Sequence, residues 1–186
     1  ILRLNGGCVD TDDNASDFET GTPAPRNTES PAHDCDAEPP APTCPAPPEV
    51  APIGTVQGTG DISPCAGEMV TIEGVVVGDY EGPQPALRGF YVQSPDGAHD
   101  DDEATSEGIF VFHGDEDLVE LGDLVRITGL VAEFQGQTQL NFPDSLEVLE
   151  SGHTVTPTKV TMPFPTADYL ERYEGMLVEF EQTLYV

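Results

Sequence analysis

Short runs of β-branched and aromatic residues, separated by glycine, proline and aspartate, dominate the chain from residue 53 onward. The clearest run covers residues 69–77, where Val70, Ile72 and Val76 fall on one face and Thr71 and Glu73 on the other. Alternation with a period of two is typical of a strand that buries one face, and Gly74 permits a bulge or bend in this strand. Similar runs predict further strands at 87–93, 108–113, 123–134, 137–142 and 146–149.

Signals for helix are few and short. Residues 116–121 are a weak candidate for a single turn, and residues 167–173 favour a short helix. About five strands in about 100 residues, with a long first strand, predict an all-β fold of the small Greek-key barrel type. A β-sandwich is the alternative.

The charge balance restricts what such a barrel can bind. The chain of 186 residues has 35 acidic and 6 basic side chains, a net charge of -29, and residues 53–153 alone contain 20 acids and 2 bases. A nucleic-acid module of the usual kind carries a positive stripe, which this chain cannot supply broadly. The simplest explanation of the acidity is a solvated surface, screened by cations. The chain has no run of about 18 apolar residues, so the sequence predicts no membrane-spanning helix.

Four cysteines, Cys8, Cys35, Cys44 and Cys65, lie in the first 65 residues. Without a CxxC pair their spacing suits zinc poorly, whereas an even number in loop-rich sequence favours two disulfides and an oxidising compartment. Three pairings exist in principle. Cys8–Cys35 and Cys44–Cys65 are favoured because each closes a local loop, and free buried thiols are the alternative.

Composition divides the chain into segments. Residues 37–52 contain seven prolines, which favours an extended, semi-rigid linker. It separates an irregular tail at 1–36, which begins with a short apolar strand at 1–4, from the predicted barrel at 53–153. Residues 154–186 begin a further β module, with a strand at 175–180 whose partners are missing. Because the chain starts without an initiator methionine and stops inside a predicted strand, we expect an internal fragment of a longer secreted protein.

An ordered series of motifs runs through the chain: GTGDISP at 58–64, VTIEGVVVGD at 70–79, GFYVQSPD at 89–96, SEGIFVF at 106–112, GDLVRITG at 122–129 and YEGMLV at 173–178. This series resembles the OB-fold region of large secreted bacterial nucleases. The segments GGCVD at 6–10 and GTPAPRN at 21–27 resemble the end of the lamin-tail-type β domain that precedes the OB-fold in many members.

The resemblance implies an OB-fold-like Greek-key barrel with a disulfide-tied N-terminal tail and the start of a further β module. It also implies that the parent protein is an extracellular DNase dependent on Mg²⁺ or Ca²⁺. The catalytic residues of that family belong to an endonuclease/exonuclease/phosphatase domain downstream, so none carries over to this chain. The partners implied are DNA and that downstream domain, with no membrane.

OB barrels bind single strands on the face of their second and third strands, where aromatic rings stack on bases and basic groups meet phosphates. The alternative for each ring is the core, since a small barrel needs one of the two faces of these strands for its interior. The predicted nucleic-acid-binding residues are the rings Tyr91, Phe110, Phe112 and Phe134, the cations Arg88 and Arg126, and the amides Gln93 and Gln137.

Two acidic stretches are candidates for Ca²⁺, which prefers carboxylate and carbonyl oxygens. One is the loop around Asp96, Asp100, Asp101 and Asp102; the other is Asp10, Asp12 and Asn14, which copies the first three ligands of a calcium loop without its glycine. A solvated acidic loop is the alternative. A calcium- or protein-binding scaffold is therefore the second hypothesis for function. The histidines have no obvious catalytic partners, so catalysis is not expected within this chain.

Overall fold

The structure is a computed structural model. It describes residues 44–100, 102–166 and 169–184 in full and the backbone alone of residues 2–3, 18–19 and 168. The chain divides into two compact units, residues 1–41 and 42–186. In the first, strand β1 (Leu2–Arg3) pairs antiparallel with β2 (Phe18–Glu19). The predicted Cys8–Cys35 disulfide lies outside the described residues.

Five strands of the second unit close into a barrel in the order β3-β4-β5-β7-β6, and the predicted all-β class is confirmed. Neighbours pair antiparallel except β5 and β7, which are parallel. The runs predicted at 137–142 and 146–149 form one strand, and the helical turn predicted at 116–121 is wrong, because those residues form a loop. The strands are β3 (Met69–Tyr80), β4 (Gly89–Gln93), β5 (Gly108–Phe112), β6 (Leu124–Phe134) and β7 (Gln137–Glu150).

The long strand β3 closes the barrel because it changes partner along its length. Its first part, up to Val75, pairs with β6, and from Val75 onward it pairs with β4. The sequence suggested a bulge or bend at Gly74. In the structure the register of β3 against β4 shifts later, between Val76 and Gly78. At Gly74 an added Cβ would lie 3.1 Å from the carbonyl oxygen of Gln93, so the absence of a side chain allows close approach of the strands.

The barrel interior is filled by the inward faces of the strands, as the alternation predicts. Val70, Ile72 and Val76 of β3 are all buried in one apolar cluster. The same cluster takes one residue set from each neighbouring strand: Phe90 and Val92 from β4, Ile109 and Val111 from β5, Val125, Ile127 and Val131 from β6, and Leu140 from β7. This choice leaves the opposite faces of β4 and β5 on the outside of the barrel.

A short helix and a disulfide add to the core from the N-terminal side of the barrel. Helix α1 (Ile53–Gln57), which is too short for its periodicity to be read in the sequence, buries Ile53 and Val56 in the cluster. The predicted Cys44–Cys65 disulfide is confirmed, with an S–S distance of 2.02 Å. Cys65 is fully buried, so the bond ties the start of this unit directly to the core.

The C-terminal residues form a small parallel pair, β8 (Thr158–Val160) with β9 (Val178–Phe180), joined through a 3₁₀ helix (Asp168–Tyr173). The short helix predicted at 167–173 is thus a 3₁₀ helix. The prediction that the strand at 175–180 lacks partners is wrong, because residues 178–180 pair with β8. Within the described residues no helix is long and apolar enough to cross a membrane.

Residues 174–177, which we call the docking segment, lie against the outer face of the barrel. Ser106 Oγ donates to the carbonyl oxygen of Glu174 at 2.6 Å, and the Leu177 amide donates to Gln93 Oε1 at 2.7 Å. The backbones approach so closely that a Cβ on Gly108 would lie 2.4 Å from the carbonyl carbon of Gly175. Part of the outer face of β4 and β5 is therefore covered by the protein itself.

Candidate functional site

The uncovered part of the same outer face forms a cleft of about 530 Å³, which we call the aromatic cleft. Its floor is built from β4, β5 and β7, and its far end from the β6–β7 turn. Ten residues line it: Leu87, Tyr91, Phe110, Phe112, Phe134, Gln135, Gln137, Gln139, Asn141 and Phe142.

Strand register brings these side chains together. Tyr91 of β4 is paired with Phe110 of β5, and Phe110 is paired in turn with Gln139 of β7. Successive residues of a strand point to opposite faces, so the burial of Phe90 and Val92 inside the barrel directs Tyr91 outward. From the sequence alone, either face of β4 could fill the barrel interior. In the structure Phe90 and Val92 do so, and Tyr91 lies on the outer face.

The rings form a buried floor and an exposed rim. Phe110 is only 5% exposed, and its ring centroid lies 4.8 Å from that of Tyr91. Phe112 meets Phe142 edge to face at 5.0 Å, and Phe142 itself is 62% exposed. Phe134 is 58% exposed at the end of β6. Exposed rings beside a closely packed aromatic floor offer flat faces on which a planar ligand can stack.

Backbone conformation also singles out this region. Among the described residues, three that are not glycine have positive φ: Arg88 at 66°, Gln135 at 55° and Phe142 at 39°. Gln135 and Gly136 form the tight β6–β7 turn, where positive φ is ordinary. Arg88 closes the β3–β4 loop, where its amide donates to the carbonyl oxygen of Tyr80, and Phe142 lies in the bulged part of β7, where the pairing with β6 shifts register.

The polar groups of the cleft are amides and one hydroxyl. Gln137 Nε2 donates to the Tyr91 hydroxyl at 3.0 Å, and Gln139 Nε2 donates to Asn141 Oδ1. An amide side chain has both donor and acceptor atoms, so it can pair with the edge of a heterocycle in either sense. None of the ten lining residues is charged.

The predicted cation Arg88 lies at the edge of the aromatic cleft, but its charge is already paired. Its guanidinium carbon lies 5.3 Å from the centre of the Phe112 ring, and its Nε donates to Asp115 Oδ1 at 2.6 Å. The Asp115 carboxylate thus offsets the charge of the guanidinium, and the Phe112 ring lies under it.

Two of the predicted binding residues lie elsewhere. Gln93 is fully buried, because the docking segment covers it. Arg126 is held by Glu73 on the neighbouring strand, with Nη2 and Oε1 2.6 Å apart, and does not line the cleft. Five of the eight predicted residues thus line one cleft: Tyr91, Phe110, Phe112, Phe134 and Gln137.

The described carboxylates of the predicted calcium loop accept hydrogen bonds from other groups of the protein. Asp96 accepts from the backbone amide and the hydroxyl of Thr156, and these hydrogen bonds lower the pKa of the Asp96 carboxyl. Asp100 accepts from the Thr105 hydroxyl, and Asp102 from the Ala104 amide. Asp101 and the second candidate set, Asp10, Asp12 and Asn14, lie outside the described residues.

A carboxylate cluster that the sequence did not indicate lies where β3 ends. Oxygens of Asp79, Glu81 and Asp117 come within 4.8 Å of one another. Burial raises the pKa of the Glu81 carboxyl, which accepts the amides of Leu118 and Val119 and lies 2.5 Å from His113 Nε2. Asp79 and Glu81 lie two residues apart where β3 ends, but Asp117 comes from a loop distant in the sequence, so no local motif could reveal the cluster. Its visible role is to fix that loop.

The sequence matches no protein-family model and no curated protein. The cleft, its rings and its charges are therefore the basis for any functional conclusion.

Proposed function

We propose that the barrel is an OB-fold and that its aromatic cleft binds single-stranded nucleic acid. The strand order β3-β4-β5-β7-β6, with its one parallel pair, supports this assignment. The floor of the cleft includes β4 and β5, the second and third strands of the barrel, which form the binding face in OB-folds. Stacking of bases on exposed rings is the sequence-tolerant part of single-strand recognition. The observation that carries the proposal is the convergence of five rings and four amides in one cleft.

We further propose that the chain is an accessory module of a secreted, divalent-metal-dependent nuclease, with catalysis carried by a downstream domain. The motif series from GTGDISP to YEGMLV supports this assignment. The Cys44–Cys65 disulfide supports an oxidising compartment. Such a module would position DNA for the catalytic domain. The coding sequence beyond Val186 tests this part: a chain that ends there without a catalytic domain would contradict it.

The binding proposal is tested with a fluorescein-labelled oligothymidylate and fluorescence anisotropy. Phe134→Ala removes an exposed ring without touching the core, and base–ring stacking of about 1–3 kcal/mol predicts a loss of affinity of about 5- to 150-fold. Leu121→Ala is the matched control, since Leu121 is also well exposed but lies outside the cleft. Equal affinities of the two variants, or no binding by the parent protein, would contradict the proposal.

A calcium-binding scaffold takes second place, on the strength of the cluster of Asp79, Glu81 and Asp117. Against it, Asp96, Asp100 and Asp102 already have protein donors for their carboxylates. The thermal unfolding midpoint in Ca²⁺ and in EDTA separates the hypotheses. A large rise in Ca²⁺ that Asp117→Asn abolishes would favour the scaffold, because binding to the folded state stabilises it.

A further inference from the structure

The cations of the chain are all engaged away from any ligand, so far as the structure describes their side chains. Arg88 is held by Asp115, Arg126 by Glu73, and Lys159 by Glu181 at 2.9 Å. Arg172 stacks on the Tyr169 ring, with its guanidinium carbon 4.0 Å from the ring centre, beside a different cavity. Of these four cations, Arg88 alone adjoins the aromatic cleft.

The cleft is equally free of acids, although the chain is not. With 35 acids among 186 residues, ten residues drawn evenly would include about two acids, and the lining contains none. The surrounding barrel nevertheless carries 20 acids against 2 bases. A polyanion approaching this face therefore meets general repulsion, and the cations whose side chains the structure describes are all paired or stacked.

From these two observations we infer that the aromatic cleft recognises unpaired bases by their faces and edges and makes no phosphate contact. The inference rests on the proposed function and specifies its ligand: the bases enter the cleft, and the phosphates point to solvent. Tyr91, Phe134 and Phe142 supply ring faces, and Gln135, Gln137 and Asn141 supply amide groups for base edges. Such a site contrasts with the usual pairing of stacking rings with a basic groove.

Salt dependence distinguishes this mode from ordinary single-strand binding. Each phosphate contact contributes about -0.7 to the slope of log affinity against log salt. A site with at most one contact therefore loses no more than about fivefold between about 50 and 500 mM KCl, whereas four contacts lose about 600-fold. Repulsion from the acidic barrel is screened at high salt, so the affinity of this protein is expected to stay level or rise.

The experiment compares an oligothymidylate with its methylphosphonate analogue, which keeps the bases and removes the backbone charge. Titrations by anisotropy use the full chain at low and high KCl. We expect the uncharged strand to bind at least as tightly as the natural one, with the difference largest at low salt. Phe134→Ala should weaken both strands equally, because it acts on the bases alone.

A matched pair of charge variants completes the test. Arg88→Gln at the cleft and Arg126→Gln outside it should both leave the salt slope unchanged. Binding of the natural strand with a steep salt loss, or loss of binding by the methylphosphonate strand, would overturn the inference while leaving the proposed function intact. Failure of both strands to bind would overturn the inference and the proposed function together. So would tighter binding of the neutral saccharide maltohexaose, whose rings also stack on aromatic faces, than of either strand.

Discussion

Replacement of Gly108 by alanine should release the docking segment from the barrel. The added Cβ would lie 2.4 Å from the carbonyl carbon of Gly175, 2.5 Å from its oxygen and 2.6 Å from the Met176 nitrogen. All three are backbone atoms, which cannot rotate away as a side chain can. Since β5 is held on both sides by β4 and β7, the segment is the part that must move.

The cost follows from the hydrogen bonds that hold the segment. Ser106 Oγ donates to Glu174 O at 2.6 Å, the Leu177 amide to Gln93 Oε1 at 2.7 Å, and the Thr138 amide to Glu174 Oε1 at 2.9 Å. At about 1 kcal/mol each, their loss amounts to about 3 kcal/mol. For a chain of this size that lowers the midpoint of thermal unfolding by about 6–12 °C.

Urea unfolding followed by circular dichroism measures this loss, and hydrogen exchange at the Leu177 amide locates it. Gly60→Ala is the control, because Gly60 has nothing within 4 Å of its added Cβ and no positive φ. That substitution should be neutral or stabilise by up to about 1 kcal/mol. If Gly108→Ala matched Gly60→Ala in both measurements, the close packing of the docking segment on β5 would be refuted.

Three further outcomes are expected. Replacing Cys44 and Cys65 together by alanine should lower the free energy of unfolding by about 3 kcal/mol, as expected for a loop of this length, and urea unfolding would show it. Burial raises the pKa of Glu174 above its ordinary 4.5, so the folded state holds that proton more tightly than the unfolded state. Its contribution to stability is present below pH 4.5 and lost as the pH rises through the raised value; Glu174→Gln should flatten this decline in unfolding measured from pH 4 to 7. Asp115→Asn frees Arg88, so the salt slope for a natural single strand should steepen by up to about 0.7, and an unchanged slope would show that Arg88 cannot reach the strand.

The barrel could be predicted from the sequence where alternation specifies a buried face. Val70 and Ile72 of β3 show this, because the positions that follow each of them, Thr71 and Glu73, are polar. In β4, by contrast, each face has one aromatic ring, so the pattern could not decide whether Phe90 or Tyr91 pointed inward. The orientation of β4 is set when the barrel closes, because it depends on the pairing of β4 with β3 and β5. That pairing cannot be read from a local sequence pattern.

The candidate site was predictable only in part, for a related reason. The rings Tyr91, Phe110 and Phe112 lie on predicted strands, so their shared face followed once the register was known. The burial of Gln93 was not predictable, because the residues that cover it come from a segment about 80 positions later in the chain. Side chains assembled by long-range contacts leave no spacing signal in a single sequence.

The acidity of the chain is compatible with ligand binding because several carboxylates accept hydrogen bonds that stabilise loops. Glu81 accepts two backbone amides, and Asp123 accepts the Glu120 amide and the Ser151 hydroxyl. Such acids stabilise loops away from the aromatic cleft, where the lining stays neutral. A net charge of -29 therefore argues against a phosphate-binding groove rather than against base recognition. Because weak stacking alone gives modest affinity, the proposed function requires that cationic or metal contacts to the strand come from the proposed catalytic domain.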